Sequence, residues 1–154
     1  MGRMRLFVDT NIILEYIEHR PEYESVRRVL TAIRNGQHEG FISQGCVYTL
    51  AYLAEKALKA NGFHKPELTI QLRKIMTSIL ALLEPVGISR TDMLNAIGNE
   101  AFTDMEDSFQ YQSALNGNCN VLLTININDF KEASQQRMEI LTPLQFVGKY
   151  MKEE

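Results

Sequence analysis

Four aspartates stand at positions from which their carboxylates could act together. Asp9 follows Arg5-Leu6-Phe7-Val8, and Asp104 and Asp107 form a D-x-x-D at the expected start of a helix. Asp129 comes a few residues after Val121-Leu122-Leu123-Thr124. Positions i and i+3 share a helix face, so Asp104 and Asp107 can point the same way. If all four converge, each like-charged pair at ~4 Å costs about 4 kcal/mol at an effective dielectric of ~20. Such a cluster needs protons or a cation, and hard oxygen ligands favour Mg²⁺ or Mn²⁺. A cation held this way polarises a phosphodiester and lowers the pKa of an attacking water. Taken singly, each acid also has a structural use. Asp9 can cap a helix from Asn11, Asp104 can sit at a positive helix end, Asp107 can face solvent, and Asp129 can form a turn beside Asn128.

Other chemistries find less support. His19, His38 and His64 are scattered without metal-ligand spacing, and Cys46 and Cys119 lie in no C-x-x-C. No Ser–His or Cys–His pair is apparent, so a side-chain nucleophile is not expected. The chain has 154 residues, 45% hydrophobic and 23% charged, which suits one globular domain over 1–154. No apolar run reaches the ~18 residues of a membrane span, and Asp9 comes too early for a signal-peptide core. The expectation is a cytoplasmic protein with no membrane partner. Lys and Arg number 16 against 19 Asp and Glu, a net charge of −3. Nucleic-acid binders are commonly basic. A phosphate ligand here would therefore need a bound cation or a local patch drawn from Arg3, Arg5, Arg27, Arg28, Lys56, Lys59, Lys65, Arg73 and Lys74.

The elements that must position these acids follow from periodicity. Apolar runs predict strands at Met4–Val8, Gly40–Ile42, Pro85–Ile88, Asn120–Thr124 and Glu139–Leu141. Helical spacing predicts helices over Asn11–His19, Glu22–Arg34, Ser43–Lys59, Pro66–Leu83, about Asp92–Ala101, and Pro143–Met151. Leu68, Leu72, Ile75, Ile79, Leu82 and Leu83 are core candidates of the long fourth helix. Thr103-Asp104-Met105-Glu106 fits a capping box, with Thr103 as cap, opening a helix to Asn116-Gly117. Asn128–Phe130 is a turn or short helix. Strands alternating with helices, and reading as apolar runs, imply an α/β fold with a parallel sheet covered on both faces. Ligands of such sheets sit outside the carboxyl ends of the strands, where Asp9 and Thr124 fall.

LFVDTNIILEY, TDMEDSFQYQSA and NVLLTININDF, in that order and spacing, resemble the PIN-domain nucleases, and most of all the VapC-type toxins of toxin–antitoxin pairs. The resemblance runs from Leu6 to about Phe146. It implies a three-layer α/β/α sandwich with a central, mainly parallel sheet and an acidic pocket at one edge. It implies Mg²⁺- or Mn²⁺-dependent hydrolysis of RNA and a small antitoxin as partner. The apolar helices Val26–Ile33 and Leu68–Leu83 offer more hydrophobic surface than one small core needs, so a homodimer or antitoxin interface is expected there. By position, Asp9, Asp104, Asp107 and Asp129 match the family's catalytic, metal-binding acids. Asn11, Thr124 and Asn126 match polar residues that support the site. One departure stands out: many members carry a Glu near the position of Thr49, and Glu55, the nearest acid, lies about 120° round the helix from it. That gap leaves open a catalytically weak module that binds RNA or protein. A phosphotransferase of the haloacid dehalogenase type also begins strand–Asp, but it places a second Asp where Asn11 stands.

Overall fold

The computed structural model describes residues 2–130, 133 and 138–151. Five strands make one parallel sheet: β1 (Arg5–Val8), β2 (Glu39–Ser43), β3 (Glu84–Val86), β4 (Val121–Leu123) and β5 (Glu139–Leu141), in the order β3-β2-β1-β4-β5. Registers such as Phe7 beside Phe41 and Phe7 beside Leu122 place β1 at the centre. Pro85, which cannot donate to a ladder, lies in the edge strand β3, where that loss is tolerated.

The helices are α1 (Thr10–Ile17), α2 (Tyr23–Arg34), α3 (Gln44–Ala60), α4 (Glu67–Leu82), α5 (Arg90–Ile97), α6 (Met105–Asn116) and α7 (Pro143–Tyr150), with a 3-10 turn at Ile127–Phe130. Successive strand residues face opposite ways, and the core divides accordingly. Leu6, Val8, Ile42, Val121 and Leu123 pack with Ile12, Val29, Leu50 and Phe146, from α1, α2, α3 and α7. Phe7, Phe41, Leu122 and Ile140 pack on the other face with Tyr111 and Ala114 of α6 and with Phe130. The expected α/β/α sandwich is therefore present, with every strand parallel.

Three expectations need correction. The helix predicted over Asp92–Ala101 is α5, which starts two residues earlier because Ser89 and Asp92 form a reciprocal capping box. The cap of α6 is Asp104, not Thr103. Asp104 Oδ1 accepts the amide of Asp107 at 3.0 Å, one residue out of register with the expected box. A carboxylate is the stronger cap and also meets the positive helix end. In α4 only Leu68 is buried, along with Leu83 just beyond it; Leu72, Ile75, Ile79 and Leu82 are half-covered. This helix packs on α3, α2 and β3, with Met76, Ile79 and Leu82 partly covered against the core and Ile70 and Leu80 left exposed.

Candidate active site

In a parallel sheet the crevice for ligands opens where strand order reverses. Here the chain runs from β1 outward to β2 and β3 on one side, then returns to β4 and β5 on the other. The reversal lies between β1 and β4. Asp9 follows the last residue of β1 and Thr124 the last residue of β4, and the Asp9 amide donates to Leu123 O at 3.0 Å.

Asp9 caps α1, and it is also only 5% exposed. Its Oδ1 accepts from the Thr10 amide and from Gln110 Nε2, both at 2.9 Å. Its Oδ2 accepts from the Thr124 hydroxyl at 2.8 Å. Burial raises its pKa, while hydrogen bonds from Gln110, Thr124, Thr10 and Asn11 oppose the shift. Thr124 is tied in turn, since its hydroxyl accepts from the Asn126 amide at 3.1 Å. Asn126 thus braces the site through its backbone, with its side chain exposed. Asn11 Oδ1 accepts from the Ile125 amide at 3.2 Å, fastening the start of α1 to the segment after β4.

The second group of acids stands at the N-terminus of α6. Asp107 is half-buried, and its carboxyl is pushed up to about 7. Burial contributes most, followed by the charges of Asp104, Asp9, Asp129 and Glu106. Asp104 is exposed at the cap, and Asp129 is exposed on the 3-10 turn. The four predicted aspartates therefore share one electrostatic neighbourhood. Two members of that neighbourhood were not foreseen. The Glu106 carboxyl is raised by burial, by Asp9 and by Asp104. Gln110 is buried and bonded to Asp9. Gln110 lies three residues after Asp107 and four after Glu106, but spacing alone does not tell such a glutamine from one that faces water.

A cleft of about 470 Å³ adjoins the acids, lined by Cys46, Tyr48, Thr49, Glu106, Phe109 and Gln110 among others. Thr49, where an acid was expected, opens on the same cleft as Glu106. Glu55 points elsewhere and pairs with Lys59 at 3.2 Å. The Cys46 thiol accepts the Thr10 hydroxyl at 3.2 Å, and burial pushes its pKa to about 11, so it stays protonated and unreactive at neutral pH. Among the described residues, no three acidic, His or Cys groups are already drawn up as metal ligands. The donor set nevertheless fits a hard divalent cation. It is made of carboxylate oxygens, and the charges of Asp104, Asp9, Asp129 and Glu106 that add to burial in raising the Asp107 carboxyl are what a cation would offset.

Solved structures that share this fold include two toxin–antitoxin complexes. One is the VapBC2 complex from Rickettsia felis bound to a DNA fragment from its promoter: TM-score 0.61, 20% identity, covering 89% of this chain and 97% of the other. The second is a toxin–antitoxin complex from Klebsiella pneumoniae: TM-score 0.60, 19% identity, covering 90% and 97%. No curated protein matches the sequence. The PIN domain family model matches residues 5–128, which hold β1 to β4 and three of the four aspartates, and the chain belongs to that family.

Proposed function

We propose that this PIN domain is a metal-dependent endoribonuclease, the toxin of a toxin–antitoxin pair, acting in the cytoplasm. The single observation that supports the nuclease reading is that the charges of Asp9, Asp104 and Asp129 all bear on the half-buried Asp107 carboxyl, with Asp9 itself placed at the reversal point of the sheet. Asp9, Asp107, Asp104 and Asp129 would hold Mg²⁺ or Mn²⁺, with Glu106 adding negative charge beside them. When bound, the cation supplies Lewis-acid chemistry, offsetting charge on the phosphoryl oxygens and acidifying the attacking water. The protein's own contribution is orientation. Thr124, Thr10 and Gln110 hold Asp9 still, and the cap bond from Asp104 fixes the first turn that carries Asp107. The Cys46 thiol takes no part as nucleophile.

The partner reading is supported by the fold shared with two toxin–antitoxin complexes and by a groove of about 830 Å³ between α1, α2 and α4. The half-covered residues Tyr16, Ile75, Ile79 and Leu82 line it. An antitoxin segment or a second copy of the chain would bury them. Sedimentation of the chain alone and with its antitoxin separates the two.

The test of the nuclease is cleavage of single-stranded RNA in Mg²⁺ and in Mn²⁺ by the wild type, Asp9→Asn and Asp107→Asn. Each substitution is expected to lower the rate by at least ~100-fold with the fold intact by circular dichroism. Undiminished cleavage by both variants rejects the assignment. Thr49, in place of an acid, favours a second reading, a binding module that holds RNA or protein without cutting. Mn²⁺ binding with no cleavage of any RNA by the wild type would support that one instead.

A further inference from the structure

Asp9 ends β1 and Asp107 lies in the first turn of α6, so something must hold a strand end and a helix start in register. Gln110 Nε2 donates to Asp9 Oδ1 at 2.9 Å across 101 residues of sequence. Both partners are buried, Gln110 at 4% exposure and Asp9 at 5%. Gln110 stands three residues after Asp107 and four after Glu106, on the side of α6 that carries both. On the other oxygen of Asp9, Thr124 donates at 2.8 Å. The carboxylate is therefore gripped from both sides and cannot rotate about its Cβ–Cγ bond without breaking a buried hydrogen bond. A neutral amide suits this place. It donates without a positive charge that would compete with a cation, and it does not titrate.

We infer that Gln110 is a positioning residue of the cation site: it pins Asp9 Oδ1 against α6 and so sets the spacing between Asp9 and Asp107. The inference rests on the nuclease reading above. The Gln110 amide has no acid–base or nucleophilic role of its own. It acts through Asp9, as partners of metal-ligating carboxylates do in general, and losing such a partner typically weakens metal binding 10- to 100-fold.

The experiment is a Mn²⁺ titration of the full chain without RNA, following free Mn²⁺ by electron paramagnetic resonance. Gln110→Met keeps the length and removes the donor. Its Mn²⁺ dissociation constant is expected to rise about tenfold or more. With single-stranded RNA, kcat is expected to fall at unchanged KM for RNA, and excess Mn²⁺ to restore part of it. Ser108→Ala is the control, a buried residue of the same helix whose hydroxyl donates only to Ala96 O, at 2.6 Å. It should lower the melting temperature and leave Mn²⁺ affinity alone. If Gln110→Met does not fold, Gln110→Ala takes its place with the same expectation. Unchanged Mn²⁺ affinity in a folded Gln110 variant, beside a wild type that binds Mn²⁺, overturns the role of Gln110 and leaves the nuclease reading standing. A wild type that takes up no Mn²⁺ overturns the nuclease reading itself.

Discussion

The carboxyl of Asp107 titrates near 7 in the folded chain against an ordinary 3.8. Between about pH 4 and 7 the folded state therefore holds a proton that the unfolded chain has released. Folding is favoured by proton uptake in that window, so this group's contribution to stability is full below the lower value and is lost as pH rises through the higher one. His38 pulls in the opposite direction. Burial and Arg3 lower its pKa, and its Nδ1 accepts the Met4 amide, so acidification below its ordinary 6.5 costs stability. The two are separated by comparing the wild type with Asp107→Asn by urea denaturation from pH 4 to 8 without metal. The stability difference, wild type minus variant, is expected to fall steadily as pH climbs to about 7 and then level off. A difference that grows with pH rejects the crowding of acids around Asp107. Added Mn²⁺ should stabilise the wild type above pH 7 and do little for the variant, because only the ionised cluster holds a cation.

At the start of α6 one residue serves two ends. Asp104 caps the helix through Oδ1, and its charge bears on Asp107. Asn caps about as well as Asp, and Ala caps poorly. Asp104→Asn should therefore keep stability within ~0.5 kcal/mol while weakening Mn²⁺ binding, and Asp104→Ala should lose about 1 kcal/mol besides. Equal loss of stability in the two variants would show that the charge, not the cap bond, matters to the helix. Elements of this kind were legible in unequal degree. β1 and β4 announce themselves because a centre strand is buried on both faces and must read as an unbroken apolar run. Asp9 and Thr124 follow from the ends of those runs. The register of the α6 cap does not, since Thr103 and Asp104 are adjacent and both are good caps. Gln110 stayed hidden because a glutamine in mid-helix ordinarily faces water, and only the tertiary bond to Asp9 shows otherwise. For α4 the spacing revealed an apolar face, but spacing carries no information on whether anything covers it.

The whole molecule is electrically lopsided along the strand direction. The acids lie beyond the carboxyl ends of β1 and β4, whereas Arg3 and Arg5 sit at the amino end of β1 and both reach Glu39, at 3.9 and 3.2 Å. Arg5 also donates to Gly117 O and lies over the Phe41 ring. Arg27 is paired with Glu24 at 3.0 Å and Lys59 with Glu55 at 3.2 Å. Several cations that might have formed a phosphate-binding patch are thus far from the cleft or already engaged, in a chain whose net charge is −3. The end that carries the acids repels a polyanion unless a cation sits among them. RNA affinity should therefore depend on the divalent ion more than on any lysine or arginine. Measured by fluorescence anisotropy with a non-cleavable single-stranded analogue, the dissociation constant is expected to rise about tenfold or more on going from Mn²⁺ to EDTA, roughly 1.4 kcal/mol. Asp107→Asn should bind the analogue equally weakly in both buffers, and the EDTA-insensitive remainder should weaken as salt is raised. Binding that is tight in EDTA and steeply salt-dependent would instead place the RNA on a basic surface remote from the acids, and the cleft beside Asp9 would lose its claim to the substrate.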